Sequence, residues 1–346
     1  MKLSKNIIKQ NRREFIQNTF QSSLGLALLS PFMKNDFNSI SPINEEKIKL
    51  SLQCFSFGMS LMRGKLSILD FPKLVREEFN LGAAEYWNIP LLQKRNDKVF
   101  IKELKTKTAD YGLQNTLMLV DLINFRTGKS LSLCSADSKE RNLAVDGHKE
   151  WIDTAKSIGC KAIRANLCSE GMKADEVKEI SQESLGLLLE YSSSMGMDIV
   201  IENHGGFTSD ARWVVELMKI INHPNLGTLP DFGTNNFCIE RAPKKEGQIR
   251  YTSECINQYD KYKGVEEMLP YAKGISAKSV SFNAEGEENN TDFKRMIELI
   301  QSSGFEGYMA IEYEGGVMSM LGGDSADQLP PKEGIIATKK LIEKYL

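Results

Sequence analysis

Residues 47–346 are predicted to form a single closed (β/α)₈ barrel, the TIM-barrel form of the α/β class, on three observations. From Lys47 onward, short apolar strand patterns alternate eight times with longer amphipathic ones. Gly112, Gly159, Gly196, Gly274 and Gly304 stand where a helix ends before the next strand. Polar residues recur at the same end of different strands, which is where a barrel carries its active site. Eight consecutive units favour a closed parallel barrel. An open doubly wound sheet is the alternative, but no strand leads into a G-x-G-x-x-G turn.

The units run in order. Ile48–Phe57 precedes a helical pattern at Leu69–Phe79, Leu81–Asn88 precedes Asp97–Tyr111, and Gln114–Asp121 leads through a long loop to His148–Ile158. Cys160–Ser169 precedes Ala174–Ser194, Met197–Gly205 precedes Asp210–Ile221, and Leu226–Gly233 leads through a second long loop to Lys261–Ala272. Gly274–Asn283 precedes Thr291–Ser303, and Gly307–Gly316 leads to a last helix near Lys332–Tyr345. Pro230 sits oddly in a central strand because it has no N–H to donate, unless the strand is already ending there.

The bulk numbers agree with one barrel. A chain of 346 residues with 41% hydrophobic residues can bury a large core. A formal net charge of −2 gives no reason to expect nucleic acid or an anionic membrane as partner. The six cysteines, Cys54, Cys134, Cys160, Cys168, Cys238 and Cys255, contain no C-x-x-C pair and mostly lie in apolar patterns, so they read as small buried residues.

Residues 1–46 read as an export segment and polar linker. Asn11-Arg12-Arg13-Glu14-Phe15-Ile16-Gln17 resembles a twin-arginine signal, ahead of a modest apolar stretch from Phe20 to Phe32. That stretch is too short and too interrupted to span a bilayer in the mature protein. The expected location is periplasmic or secreted, or cytoplasmic if the signal is vestigial. No A-x-A cleavage site is visible.

Strand alternation identifies the inward side chains. In Ile199-Val200-Ile201-Glu202-Asn203-His204, Val200, Glu202 and His204 share one face. The same reading turns Gln53, Glu85, Arg164, Asp231, Lys278 and Glu312 inward near strand ends, with Ser51, Asn166, Ser276 and Glu314 on the same faces. Burying these without partners would cost several kcal/mol each, so a ligand, a metal or an ionic network is implied. Glu202, Asp231 and Glu312 end strands five, six and eight. Convergent carboxylates repel unless a divalent cation lies between them. Oxygen ligation with at most one imidazole suits Mn²⁺ or Mg²⁺, with Zn²⁺ also accommodated. The alternative makes them separate salt-bridge partners, for instance of Arg164 and Lys278.

The phrases Ile201-Glu202-Asn203-His204-Gly205-Gly206, Leu229-Pro230-Asp231-Phe232-Gly233, Ile275-Ser276-Ala277-Lys278-Ser279 and Ile311-Glu312-Tyr313-Glu314-Gly315 resemble the xylose isomerase-like TIM-barrel superfamily, in its sugar phosphate isomerase/epimerase branch. His148-Lys149-Glu150-Trp151-Ile152 and Gly159-Cys160-Lys161-Ala162-Ile163-Arg164 add to the match. The resemblance implies metal ligands at the ends of strands five to eight, here Glu202, Asp231, the seventh-strand position and Glu312. Many relatives have a histidine on strand seven, where this chain has Ser276. The fourth ligand is therefore His204, Ser276 or water.

His204 is a candidate base, a metal ligand, or a residue that orients Glu202. Lys278 either places positive charge on a developing oxyanion or pairs with Glu312. Arg164 either grips a sugar hydroxyl or carboxylate or forms an internal ion pair. Gln53, Glu85 and Trp87 are candidate sugar contacts, and Trp87 equally suits plain packing. His223 lies in a loop at the opposite barrel end, and His148, taken to begin the third helix, either lines the mouth or has a helix-capping or surface role. The pairs Gly205-Gly206, Gly315-Gly316 and Gly322-Gly323 allow close backbone approach but do not continue into G-K-[ST].

The expected activity is sugar isomerisation or epimerisation by proton abstraction beside a carbonyl, with Glu312 sharing acid–base work. The alternative outcome at the same site is lyase or hydratase action on 3-keto-glycosides. An AP-endonuclease-like phosphodiesterase would need more than the three histidines present. A non-catalytic sugar-binding barrel would need neither metal nor base. The expected partner is a small carbohydrate, and a homo-oligomer is compatible with the sequence.

Overall fold

The computed structural model describes residues 47–124, 129–167, 171–243, 253–318 and 328–346. The twin-arginine-like segment, Cys168 and Gly322-Gly323 lie outside the described residues. Eight parallel strands, β1 (Ile48–Gln53), β2 (Ala83–Trp87), β3 (Gln114–Leu119), β4 (Ala162–Ala165), β5 (Asp198–Glu202), β6 (Leu226–Leu229), β7 (Ile275–Ser279) and β8 (Gly307–Tyr313), form one sheet in the order β7-β8-β1-β2-β3-β4-β5-β6. Parallel bridges Thr228–Ala272 and Asp231–Ser276 join β6 to β7 and close the barrel. No helix among the described residues is long and apolar enough to cross a membrane.

The helices that alternate with the strands are α1 (Phe71–Glu77), α2 (Lys98–Asp110), α3 (Ser138–Ile158), α4 (Ala174–Ser193), α5 (Ala211–Ile221), α6 (Lys261–Met268), α7 (Phe293–Ser302) and α8 (Pro331–Tyr345), with short helical turns at Gly58–Met62 and Gly315–Met318 in the loops. Five begin with an aspartate whose carboxylate accepts a first-turn N–H: Asp97, Asp137, Asp210, Asp260 and Asp292. Each cap satisfies an otherwise orphaned donor, worth about 1 kcal/mol. Gly112, Gly159, Gly196 and Gly304 all have positive φ. Gly274 does not, because a 3₁₀ turn at Leu269–Tyr271, carrying Pro270, follows α6 instead. Asn222 takes the left-handed cap of α5, a role that asparagine tolerates.

Tight interlayer contacts fix the last unit. A Cβ on Gly334 of α8 would come within 2.3 Å of the Tyr313 ring, so only glycine lets this helix lie against β8 there. The Tyr313 hydroxyl donates to the Leu329 carbonyl at 2.7 Å. β6 ends at Leu229, and the Pro230 carbonyl accepts from Ser276 N–H at 2.9 Å, so the missing proline donor breaks no ladder bond.

Not all of the cysteines are the small buried thiols expected of them. Cys54, Cys134 and Cys160 are buried thiols, but Cys238 and Cys255 form a disulfide. They lie on the antiparallel strands Cys238–Arg241 and Cys255–Gln258, where hairpin pairing brings their Cα atoms to 5.8 Å. A sequence separation of 17 gave no hint of that pairing.

Candidate metal and active site

The carboxylates of Glu202, Asp231 and Glu312 converge inside the barrel, each offering an oxygen within 4.8 Å of the others. Glu202 is the last residue of β5, Asp231 bridges to Ser276 just past β6, and Glu312 lies one residue before the end of β8. Asn203 aligns the first two. Its amide donates to the Asp231 carbonyl at 3.1 Å, and its carbonyl accepts from Asp231 N–H at 2.8 Å. A side chain thus extends the pairing between the two strand ends past Leu229, where β6 stops. Gly233 completes the turn by donating its N–H to Asp231 Oδ1 at 2.5 Å. A Cβ at Gly233 would sit 2.8 Å from that oxygen and from Lys278 Cδ, so the position needs glycine.

Two buried cations reach the cluster. Lys278 Nζ lies 3.1 Å from Asp231 Oδ2, 3.4 Å from Glu312 Oε2 and 3.1 Å from Glu314 Oε1. Arg164 Nε lies 3.1 Å from Glu202 Oε2, while its Nη1 donates to Asp121 Oδ1 at 2.7 Å. Ser276 Oγ donates to Glu312 Oε2 at 2.7 Å. Glu202 Oε2 and Asp231 Oδ2 face Arg164 and Lys278 but accept no well-directed hydrogen bond among the described residues, although each residue is nine-tenths or more buried. Such oxygens are what a bound cation would satisfy, so the donor set fits a divalent metal.

The charges differentiate the carboxyls. Burial opposes ionisation of Glu202, but Arg164, His204 and Lys278 outweigh it and hold its carboxyl below the ordinary range. Burial pushes Asp231 well above that range; Lys278 resists, and Glu312 and Glu202 reinforce the rise by repulsion. Burial would lower the Lys278 ammonium, yet Asp231, Glu312 and Glu314 hold it well above the usual lysine value. His204 Nδ1 lies 3.5 Å from Glu202 Oε2, with its side chain 25% exposed. Burial lowers its imidazole below the ordinary value despite Glu202, which favours the neutral, proton-accepting form. Thr208 fixes the turn that carries it, accepting His204 N–H at 2.8 Å and donating to the Gly205 carbonyl at 3.0 Å.

The remaining expected residues divide. Glu85 is buried among Ser51 Oγ at 2.9 Å, Thr116 Oγ1 at 3.1 Å and Gln53 Nε2 at 3.5 Å, and burial pushes its carboxyl up to about 7. Gln53 Oε1 has no hydrogen-bond partner among the described residues. Trp87 is 5% exposed, packs edge-on to Phe55, and donates its indole N–H to Asp121 Oδ2 at 2.8 Å. Its polar handle is therefore already engaged. His223 accepts Asn225 N–H at 3.1 Å, a turn contact away from the cluster. His148 neither begins nor caps its helix, because α3 starts ten residues earlier at Ser138. Nor is it a surface residue: it is buried, donates from Nδ1 to the Ala144 carbonyl at 2.8 Å, and burial lowers its imidazole to about 4.

Asp121 belongs to no motif that marks it in the sequence. It collects Trp87 from β2 and Arg164 and Asn166 from the β4 end, at 2.8, 2.7 and 3.0 Å. Asn88 clasps its backbone as Asn203 clasps Asp231, donating to the Asp121 carbonyl and accepting its N–H, both at 3.0 Å. The only sequence signal was an aspartate just past an apolar strand.

A family profile described as xylose isomerase-like TIM barrel matches residues 78–344. The chain belongs to that family. None of the curated proteins matches it by sequence. Among solved structures, 3-keto-D-glucoside 4-epimerase YcjR from E. coli is 13% identical with a TM-score of 0.59, covering 86% of this chain and 99% of the other. D-psicose 3-epimerase from Clostridium cellulolyticum H10, solved with D-tagatose, is 15% identical with a TM-score of 0.60 over the same shares, 86% and 99%. IolI, solved with a zinc atom, is 14% identical with a TM-score of 0.59, again over 86% and 99%. The xylose isomerase-like barrel is thus shared nearly end to end with sugar epimerases.

Proposed function

We propose that this chain is a divalent-metal-dependent sugar isomerase or epimerase that removes a proton beside a carbonyl. The observation that carries the reading is the convergence of Glu202, Asp231 and Glu312 beside His204. Those carboxylates would hold Mn²⁺ or Mg²⁺, with Zn²⁺, found in IolI, also accommodated. A divalent cation there supplies Lewis acidity toward the carbonyl and toward the negative charge left when a neighbouring proton departs. His204, neutral and partly exposed, takes that proton at an imidazole nitrogen. Glu312 shares the acid–base work, and the Lys278 ammonium offers further positive charge to a developing oxyanion. Arg164, Gln53, Glu85 and Trp87 shape the sugar-binding wall. The epimerase names of the neighbours support the same class.

A second reading keeps the site but changes the outcome to lyase or hydratase action on 3-keto-glycosides. The Cys238–Cys255 disulfide favours it, because such bonds persist in oxidising compartments, where glycosides are more available than intracellular sugar phosphates. The twin-arginine-like start agrees with periplasmic or secreted work. The deciding experiment incubates the Mn²⁺-loaded protein with free ketoses, aldoses and 3-keto-glycosides and follows products by NMR. An epimer or isomer supports the first reading and a released aglycone the second. Protein that binds no divalent metal and converts none of the panel would overturn both.

A further inference from the structure

We propose that Lys278 is a resident counter-cation of the carboxylate cluster, which an incoming divalent metal must displace toward Glu314. This rests on the reading of Glu202, Asp231 and Glu312 as a cation site.

The geometry has three parts. First, Nζ lies 3.1 and 3.4 Å from Asp231 Oδ2 and Glu312 Oε2, so a cation bound to all three carboxylates would compete for the oxygens that Lys278 holds. Second, two cations on the same oxygens repel strongly in a buried setting. Arg164 cannot relieve that crowding, because it is tied to Asp121 and Glu202. Third, Lys278 has somewhere to go. Its well-directed hydrogen bond among these acids is to Glu314, which lies outside the cluster of three, at 3.1 Å. The stem passes close over Gly233, where a Cβ would meet Lys278 Cδ at 2.8 Å, so that glycine gives the side chain its space.

Lys278 and Glu314 then set metal affinity from opposite sides. With Lys278 on Asp231 and Glu312, the metal-free cluster is partly neutralised. With Lys278 on Glu314, those oxygens are released. The pair acts as a positioning device for the cation and is not itself a ligand.

The test is calorimetric titration of metal-stripped protein with MnCl₂, with circular dichroism to verify folding. Lys278→Met should bind Mn²⁺ at least tenfold tighter, because the competitor is gone. Glu314→Gln should bind it at least fivefold weaker, because Lys278 has lost its alternative anchor. Should Lys278→Met prove unstable without metal, the Glu314→Gln arm decides alone. If the unmutated protein binds one Mn²⁺ but the folded variants bind it equally well, or with the opposite signs, the displacement idea is overturned while the metal site stands. If neither the unmutated protein nor the variants bind Mn²⁺, the cation site fails and this inference falls with it.

Discussion

Asp121 and Arg164, just past the end of β3 and on the neighbouring β4, form a 2.7 Å ion pair that links the wall of the site to its carboxylate cluster. The same aspartate holds Trp87, and the same guanidinium reaches Glu202 at 3.1 Å. Burial opposes ionisation of Asp121, but Arg164 overcomes it and keeps the carboxyl below its ordinary range. Breaking a fully buried pair on one side costs roughly 3–5 kcal/mol, an upper bound here because the Asp121 side chain is 18% exposed. Asp121→Ala should lose roughly 2–3 kcal/mol in urea unfolding, and Asp121→Asn less, since an amide oxygen still accepts from Arg164 or Trp87. A change below about 0.5 kcal/mol, the range of ordinary surface substitutions, would mean that the pair is not structural.

His204→Ala separates proton transfer from metal binding. Turnover should fall by roughly 10²–10⁴-fold, the usual contribution of a positioned acid–base group, and solvent deuterium should no longer enter the carbon beside the carbonyl. Elemental analysis should still find the metal, whereas Glu202→Gln or Asp231→Asn should lose it and remain folded. Metal loss in His204→Ala would make the imidazole the fourth ligand. Retained metal and retained exchange would move the base role to Glu312 or Lys278.

Glu85 gives a pH dependence with a definite sign. Burial raises its folded-state pKa from 4.5 to about 7, so its stabilising protonation is complete below about 4.5 and is lost as pH rises through about 7. The interval corresponds to something on the order of 3 kcal/mol. Glu85→Gln, neutral at every pH, should match the unmutated metal-free protein near pH 5 and exceed it in stability near pH 8. Denaturant midpoints at both values check this. The same offset at both would show that Glu85 does not titrate in the native barrel.

Export is tested by exchanging Arg12 and Arg13 for lysine. The protein should then remain in the cytoplasm, and its Cys238 and Cys255 should become available to thiol reagents after denaturation without reductant. Undiminished recovery from the periplasm would remove the argument from location to glycoside substrates.

The barrel and its acidic centre were legible in the sequence because both depend on local periodicity. Alternation along a strand fixes the face of each side chain before any partner is known, which placed Glu202, Asp231, Lys278 and Glu312 together. A backbone turn with one requirement, such as the left-handed cap at Gly159, is legible for the same reason. Tertiary structure alone decided the pairings between strands. Which cation serves which carboxylate depends on side-chain reach across the barrel, so Arg164 on Asp121 and Lys278 on Glu314 carry no periodic signature. Asn88 and Asn203, two asparagines that fasten the ends of adjacent strands, look like any loop residue until their clasps are seen. Cys238 and Cys255 meet only because antiparallel strands pair, and His148 lies inside its helix because α3 begins well before its apolar repeat becomes evident. Periodicity is a property of one segment, whereas a distance between two segments exists only after the chain has closed.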